Sequence, residues 1–388
     1  MTAPRGSSPP APLRGPAFGS YRPEEVGWLL TDLSGVALEA PVEEREEAVQ
    51  SGGAHYAESL PQEYQPDPEY LELYRTALAA SAARMARAVG TVAELVLRER
   101  GRDVVLVSLA RAGTPVGVLL RRWAAARHGL DLPHYAVSIV RGRGIDGQAL
   151  RYLAEHHDPA KVVFVDGWTG KGAITGELSA ALAAHDGAFD PDLAVLADPG
   201  RCVRTFGTRQ DWLIPSACLN STVSGLVSRT VLNPAILGPD QYHGAKFYAE
   251  LAGADVSNEF LDTVAGHFAD VTAADTAEPP DREPDHAGMA AALRLVEAYD
   301  LGEANLVKPG VGETTRVLLR RVPWRVLVAP DAPAADLAHV RLLAQRRGVP
   351  VEEVEGLPYS CVGLIHPRYT RGATGADGRA AAVGGSPR

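Results

Sequence analysis

Cysteine is scarce in this 388-residue sequence, which contains only Cys202, Cys218 and Cys361. Three widely spaced cysteines can build neither a disulfide framework nor a zinc knuckle, so we expect a reducing cytoplasm and no structural metal. Long apolar runs are also missing, which excludes a membrane-spanning helix. The opening residues 1–16 lack the apolar core of a signal peptide and predict a disordered lead-in.

Positive charge is in deficit as well, because the formal net charge is −10. A protein that coats nucleic acid needs an excess of cations, so the molecule as a whole is excluded from that class. Residues 305–372 differ, since ten Lys and Arg outnumber six Asp and Glu there and leave a local charge of +4. A basic end on an acidic body permits an RNA-facing module; a solvated basic face is the alternative.

What the sequence does contain is a regular alternation of short apolar runs and helical windows. Apolar residues at steps of three, four and seven predict a long helix over 68–100. Four apolar runs then alternate with three helical windows: runs at 104–110, 134–140, 161–166 and 193–198, and windows at 115–128, 147–156 and 173–185. Continuous apolar strands separated by helices indicate an open α/β fold with a mostly parallel sheet.

Composition divides the chain into five segments. Residues 1–65 predict an N-terminal extension that is partly disordered, and residues 66–270 form the main α/β domain. The acidic, Pro-rich segment 271–288 has no apolar periodicity and predicts a linker. A second small α/β unit is predicted for 289–372, and a disordered tail for 373–388. In the second unit we expect helices at 289–300, 312–321 and 334–347 and strands at 324–330 and 361–365.

The loop that follows the third apolar run, residues 161–175, is the most informative stretch. A buried strand ends at Asp166, and a Gly-bearing loop leads into a helix near Ala173. Ligands bind at the carboxyl ends of parallel strands, and free N–H groups at a helix start attract phosphate. The loop therefore suits a sugar phosphate, although an ordinary strand-to-helix turn is the alternative. The side chains that would serve are the acceptor or magnesium ligand Asp166, the cation Lys171 and the donors Thr169 and Thr175.

The apolar strand, single acid and Thr-Gly loop resemble the signature of type I phosphoribosyltransferases. An earlier loop, Arg111 to Thr114, follows its own strand in the order that this fold requires. The resemblance implies a phosphoribosyltransferase that binds phosphoribosyl pyrophosphate or a ribose 5-phosphate derivative with Mg²⁺. It implies that Asp166, with Asp198 in place of a missing second acid, contacts sugar and metal. The implied substrate contacts are Ala112, Gly113, Thr114, Thr169, Gly170, Gly172, Thr175 and Asp198, with Arg111 and Lys171 as catalytic cations.

A basic turn between these loops, residues 140–146, adds two arginines directly after a strand. Arg141 and Arg143 are separated by glycine and can approach a dianion closely. Their charge would offset a leaving pyrophosphate, so we include them among the catalytic candidates. A solvated basic turn is the alternative.

Residues 199–250 hold many polar side chains that packing does not require. They include the chain's nucleophile candidates, Cys202 or Cys218 with His243 and Asp240. Residues 20–370 resemble the StiP-like family of tellurium-resistance and stress gene clusters, some members of which are labelled cysteine protease. Neither cysteine begins a helix in a papain or caspase context, so proteolysis is the alternative to phosphoribosyl transfer.

The basic C-terminal unit resembles the L7Ae and Pelota RNA-binding fold. In that group a Gly-rich turn opens a helix that meets kinked RNA. The resemblance implies RNA contacts from Lys308, Gly310, Gly312, Glu313, Arg316 and Arg320. We therefore expect a cytoplasmic phosphoribosyltransferase coupled to an RNA-binding domain, with a cysteine protease or a non-catalytic RNA-binding adaptor as alternatives.

Overall fold

The computed structural model of the chain describes residues 8–40, 57–61, 63, 68–185 and 187–366. The predicted disorder of the tail at 373–388, and of residues 1–7 in the lead-in, concerns residues outside these ranges. The predicted disorder is wrong for the rest of the lead-in, residues 8–16, because Leu13 and Trp28 pair there through two backbone hydrogen bonds, at 2.9 and 2.8 Å. None of the helices in the described ranges has the length and apolar character that crossing a bilayer requires.

The strands described are, in chain order, β1 (Gly27–Leu29), β2 (Thr31–Asp32), β3 (Glu39–Ala40), β4 (Leu60–Pro61), β5 (Val105–Ala110), β6 (His134–Val140), β7 (Gly144–Ile145), β8 (Val162–Trp168), β9 (Leu193–Ala197), β10 (Phe206–Thr208), β11 (Gly244–Ala245), β12 (Val307–Pro309), β13 (Pro323–Val328), β14 (Val351–Glu353) and β15 (Cys361–Ile365). The α-helices described are α1 (Pro68–Arg100), α2 (Thr114–His128), α3 (Gly147–His156), α4 (Ala173–Ala183), α5 (Ser257–Ala265), α6 (Ala287–Ala298), α7 (Val311–Arg320) and α8 (Ala334–Arg347).

The central sheet has the order β1-β6-β5-β8-β9-β10, and each pair along this path is parallel. Helices α1 and α2 pack on one face of the sheet, and helices α3 and α4 pack on the other. Each pair of helices covers a separate apolar cluster. Burial on both faces explains the continuous apolar runs of β5, β6, β8 and β9. The predicted α/β class with a mostly parallel sheet is confirmed.

The strand β1 joins the edge of this sheet, although the sequence pattern placed it in a loosely packed extension. Gly27, Trp28 and Leu29 pair with β6 from Tyr135 to Val137. Trp28 and Leu29 are fully buried, and Trp28 packs against Phe18 and Tyr21. A three-residue strand in a Pro-rich segment carries too little periodicity to be recognised, so its burial comes from tertiary contacts.

The C-terminal unit contains a second, mixed sheet of order β12-β15-β13-β14 with helices α6, α7 and α8. One apolar cluster lies wholly within this unit, around Leu295, Leu327 and Val362. A second cluster runs without a break from the main domain into the unit, through Val311 and Leu318 of α7. The two domains therefore share apolar core.

The predicted linker at 271–288 is held against the main domain. Ion pairs join Glu278 to Arg98 at 2.9 Å and Asp285 to Arg201 at 2.6 Å. Arg201 also pairs with Asp281. The acidic residues that predicted a linker thus form ion pairs with arginines of the preceding domain, and these pairs fix the segment in place.

Candidate functional site

The loop after β8 lies at the carboxyl edge of the central sheet, as the sequence predicted, but its polar groups bind other parts of the protein. The Thr169 hydroxyl donates to the Asp198 carboxylate. The Lys171 ammonium donates to the carbonyls of Ala304, at 2.6 Å, and Val307, at 2.9 Å, in the C-terminal unit. Burial lowers the pKa of Lys171 to about 8, and the nearby positive charges of Lys308 and Arg141 act in the same direction. These donors are therefore occupied by protein oxygens.

The Asp198 carboxylate is fully buried and is the centre of the adjacent loop. Besides Thr169, its oxygens accept hydrogen bonds from the backbone N–H groups of Cys202, at 2.9 Å, and Val203, at 3.0 Å, and form an ion pair with Arg209. Burial raises its pKa. Because protein donors surround both oxygens, Asp198 does not fit the magnesium role that the resemblance implied.

Cys202 follows this carboxylate and packs against the start of α4. Its thiol is close to two carbonyl oxygens, with Sγ 3.5 Å from that of Gly170 and 3.4 Å from that of Gly200. Burial raises the pKa of the thiol to about 12, and the negative charge of Asp198 acts in the same direction. In this arrangement Cys202 is a protonated thiol at neutral pH.

A histidine also lies near this helix start. Gly172, with φ of +76°, is the N-cap residue of α4, and no side chain caps that end. A Cβ placed on Gly172 would be 3.3 Å from Cys202 Sγ and 3.9 Å from His286 Nδ1. His286 itself precedes the first turn of α6. The structure thus brings a thiol and an imidazole to one helix N-terminus, although 84 positions separate them in the chain.

The other two cysteines are placed differently. Cys218 ends a short 3₁₀ turn, Pro215–Cys218, and Cys361 begins the central strand β15; both are fully buried. Burial raises the pKa of Cys361 well above its usual value. Each occupies the position of a small core residue.

The predicted partners of a cysteine nucleophile lie elsewhere. His243 Nδ1 is 2.8 Å from Ser138 Oγ, and its backbone N–H donates to Asp146 at 2.6 Å. Burial lowers the pKa of the His243 imidazole. Asp240 is exposed. In the described part of the chain, the set of His243 and Asp240 with Cys202 or Cys218 is not assembled.

A cleft of about 190 Å³ lies along the same sheet edge, between the main domain and α7. Its walls include Arg111, Asp166, Trp168 and Trp212 from the main domain and Arg316 from α7. The Asp166 carboxylate accepts one hydrogen bond, from the N–H of Gly167 at 2.8 Å. Burial raises the pKa of Asp166 to about 7. The cleft holds the acid that the sequence singled out, in a mainly apolar setting.

The start of α7, where RNA contacts were expected, faces the main domain. The Asp211 carboxylate accepts from the N–H of Val311 at 3.0 Å and from the N–H of Ser360 at 2.9 Å. A Cβ on Gly310 would be 2.4 Å from the Trp168 ring, and one on Gly312 would be 3.2 Å from the Ala217 side chain. The anion at this helix start is therefore supplied by the protein itself.

Comparisons with known proteins identify the chain. A family model described as "Tellurite-like stress resistance cysteine protease StiP" matches residues 19–265. A curated protein of Acinetobacter baylyi, "Cysteine protease StiP", is 36% identical over 363 residues, which cover 89% of this chain and 94% of that protein. The chain belongs to the StiP family. The expected family resemblance is confirmed.

The C-terminal unit of this StiP-family chain matches a model described as "PELOTA RNA binding domain" at residues 286–367. The predicted Pelota-type domain is therefore also confirmed. Its first matched residue, His286, lies against the Cys202 loop. The two matched segments thus meet at the site described above.

The predicted phosphoribosyltransferase activity, with phosphoribosyl pyrophosphate and magnesium, is wrong for this StiP-family chain. The family and the relative are both described as cysteine protease, which was the alternative in the sequence analysis. The loop pattern was located correctly, but Thr169 and Lys171 contact Asp198 and the C-terminal unit. A strand, an acid and a Thr-Gly loop identify a position at the sheet edge without identifying its ligand.

The residues of the earlier loop, Arg111 to Thr114, which were also expected to bind an anion, contact other parts of the protein or line the cleft. Arg111 donates to the Val227 carbonyl at 3.3 Å. A Cβ on Gly113 would be 2.4 Å from the Val165 carbonyl oxygen, so close backbone packing explains this glycine. Other residues of the predicted set are also placed by the fold: Ala112 lines the cleft, Thr114 is fully buried in the first turn of α2, and Thr175 lies in the first turn of α4.

The basic turn after β6 binds a carboxylate of its own chain. The N–H groups of Gly142 and Gly144 donate to Glu177 of α4 at 2.8 and 2.9 Å. Arg143 pairs with Glu58 at 3.0 Å, and Arg141 is exposed. The turn does attract an anion, as its sequence suggested, but the anion is Glu177.

In the predicted RNA-binding set, Glu313 pairs with Arg316 at 3.0 Å at the mouth of the cleft. Burial lowers the pKa of Lys308. Arg320 ends α7, and its side chain lies outside what the structure describes. The sequence analysis missed His286 and Tyr359 as site residues, because nothing in their local pattern indicates which distant loop they contact. Asp211 lies in the polar segment 199–250 that the sequence did single out, but it was given no role.

Proposed function

We propose that this chain is a cysteine peptidase in which Cys202 is the nucleophile and His286 is the general base. One observation carries the proposal: thiol and imidazole lie against the same uncapped N-terminus, that of α4. A helix N-terminus stabilises a thiolate and an oxyanion, because its free N–H groups and dipole favour negative charge. The family description supplies the reaction class.

The chemistry would follow the usual course of thiol peptidases. The Cys202 Sγ–H proton passes to His286 as Sγ bonds to the scissile carbonyl carbon. The carbon–nitrogen bond then breaks, and the leaving amine takes the proton from His286. Water hydrolyses the thioester and restores the thiol. Free N–H groups at the start of α4 would stabilise the tetrahedral oxyanion.

This reaction requires a rearrangement from the arrangement described. Cys202 is 3% exposed, and its neighbour Asp198 opposes thiolate formation. The thiol must move away from the carbonyls of Gly170 and Gly200 before it can exchange a proton with His286. We therefore regard the described arrangement as a latent state of the peptidase.

Substitution of each cysteine tests the assignment. Cys202→Ser should abolish cleavage of a casein or peptide-library substrate, because a serine hydroxyl is a much weaker nucleophile than a thiolate. Cys218→Ser is the matched control and should retain activity, since Cys218 occupies a core position. His286→Ala should lose activity, whereas His267→Ala, away from the site, should not. Undiminished activity of Cys202→Ser would exclude this residue as nucleophile.

We also propose that the C-terminal domain binds RNA, on the strength of its match to an RNA-binding family. Each lost phosphate contact should lower the slope of log affinity against log salt by about 1. Arg316 is the cation of the expected set whose side chain is 43% exposed, so Arg316→Ala should flatten the slope by roughly 1 in gel shifts with structured RNA. An unchanged slope would assign the RNA to another face of the domain.

Two finer expectations are retained as proposals. The main domain has a type I phosphoribosyltransferase-like scaffold without that family's reaction; the support is the parallel strand order with loops at its carboxyl edge. A reducing cytoplasm is the proposed compartment; the support is that Cys202, Cys218 and Cys361, which all lie in the described part of the chain, form no disulfide.

A further inference from the structure

The C-terminal domain covers the Cys202 loop. The Tyr359 hydroxyl donates to the Gly170 carbonyl at 3.0 Å, and the N–H of Gly288 donates to the Gly200 carbonyl at 3.0 Å. These are the same two carbonyls against which the Cys202 thiol lies. Tyr359 and Gly288 both belong to the segment matched by the Pelota model.

The residues that cover the Cys202 loop, Gly288 and Tyr359, pack tightly against it. A Cβ on Gly288 would be 2.1 Å from the Gly170 oxygen and 2.3 Å from the Tyr359 hydroxyl. The Gly288 backbone therefore packs directly against the Gly170 carbonyl and the Tyr359 hydroxyl, with no space for a side chain between them. Access to Cys202 from this side therefore requires Tyr359 and the elements that carry it to move away. His286, in contrast, stays at the Cys202 loop, because its N–H donates to the Arg201 carbonyl at 2.9 Å.

A single buried carboxylate joins the two domains beside this cover. Asp211 follows β10 in the main domain and is 6% exposed. One of its oxygens accepts from Val311 at the start of α7, and the other accepts from Ser360 next to Tyr359. The Ser360 hydroxyl donates in return to the Asp211 carbonyl at 2.7 Å. Asp211 thus binds both the helix and the loop that position the cover.

We propose that the C-terminal domain is a lid that keeps Cys202 latent, and that Asp211 is its latch. This inference rests on the proposed function, because latency has meaning only if Cys202 reacts. The shared apolar cluster and the Lys171 contacts hold the lid closed at rest, and loss of the latch shifts the balance toward the open state.

Thiol labelling tests the lid without depending on peptidase activity. The full chain is treated with N-ethylmaleimide, and the modification of each cysteine is followed by peptide mass spectrometry. Asp211→Asn should speed the labelling of Cys202 by about tenfold, the effect of losing one of its two accepted hydrogen bonds, because an amide NH₂ group cannot accept. Tyr359→Phe, which removes one donor and keeps the ring, should give a smaller rise.

Asp331→Asn is the matched control, because it neutralises an exposed carboxylate in a second interdomain cleft, which Asp211 and Tyr359 also line, and it should leave the rate unchanged. Cys361, fully buried in β15, reports unfolding of the lid itself. Its labelling should stay slow in every variant. If Asp211→Asn speeds the labelling of Cys361 as well as Cys202, that variant has partly unfolded the domain. The milder Tyr359→Phe variant then tests whether Cys202 labelling rises while Cys361 labelling stays slow.

The outcomes separate the lid from the peptidase. Faster Cys202 labelling in the latch variants, with slow Cys361, supports the lid even if no variant cleaves peptides; in that case only the proposed function fails. Equal Cys202 labelling in wild type, Asp211→Asn and Tyr359→Phe overturns the lid, even if the wild type is an active peptidase.

Discussion

The carboxyl edge of the central sheet has two halves that differ in what meets their polar groups. Beyond β9, the carboxylate of Asp198 is surrounded by donors and the C-terminal domain closes over Cys202. Near the end of β8, Asp166 lines a cleft, and its carboxylate accepts a backbone hydrogen bond from Gly167. The first half is organised by contacts within the protein, and the second keeps room for a ligand. The open space at this sheet edge therefore lies apart from the proposed nucleophile, Cys202.

The largest loss of stability is expected from substitutions in the covered half, the loops around Asp198 and Cys202. Asp198→Asn removes the fully buried carboxylate opposite Arg209 and leaves that half-buried cation without its ion-pair partner, which costs about 3 kcal/mol of unfolding free energy. Asp190→Asn is the control, because Asp190 pairs with Arg100 in a more exposed place and should cost about 0–1 kcal/mol. Chemical denaturation measures both. Equal losses would mean that the contacts of Asp198 stabilise the fold no more than an exposed ion pair does.

A smaller loss is expected where the loops of the covered half touch. A Cβ on Gly200 would be 1.7 Å from the Gly170 carbonyl oxygen, so Gly200→Ala should destabilise by about 1–3 kcal/mol through overpacking. Gly176→Ala in α4 meets nothing within 4 Å and should stabilise by roughly 0.5–1 kcal/mol. Thermal unfolding of the two variants gives the contrast. A neutral Gly200→Ala would show that the loops separate readily.

The open half should respond to pH. The pKa of Asp166 is about 7 in the folded chain, above its ordinary value, because burial disfavours the carboxylate. Between roughly pH 4 and 7 the folded state keeps a proton that the unfolded state has lost, so the unfolding free energy falls as pH rises. Asp166→Asn should make that fall shallower, by up to about 1.4 kcal/mol per pH unit.

The control for the pH series is Asp331→Asn, which changes an exposed carboxylate. Denaturation midpoints at three pH values suffice for the comparison. If wild type and Asp166→Asn have parallel profiles, the Asp166 carboxyl is solvated and the cleft is wider than described.

The elements of the fold were predictable where one face of a segment is uniformly buried. Helix α1 has the predicted bounds, because its apolar residues form an unbroken stripe over nine turns. Strands β10 and β12 have three residues each and were missed, since so short a strand has no detectable period. Their place in the sheets is decided by neighbours far away in the chain.

The site was predictable only in part. The sequence located Asp166, Thr169 and Lys171 correctly at the sheet edge, because strand ends and Gly-bearing loops are local signals. It could not show that Lys171 binds carbonyls more than 130 residues later, or that Asp211 caps α7. A sequence does not distinguish a polar side chain that hydrogen-bonds to distant backbone from one that is available to bind a ligand.

The segment before α6 has a consequence for any opening of the lid. Arg98 and Arg201 hold this segment to the main domain at Glu278 and Asp285. A short tether keeps a released domain at high effective concentration near its docking surface. Opening is then an intramolecular equilibrium that does not depend on protein concentration, so the lid should close again as readily in dilute solution as in the cell.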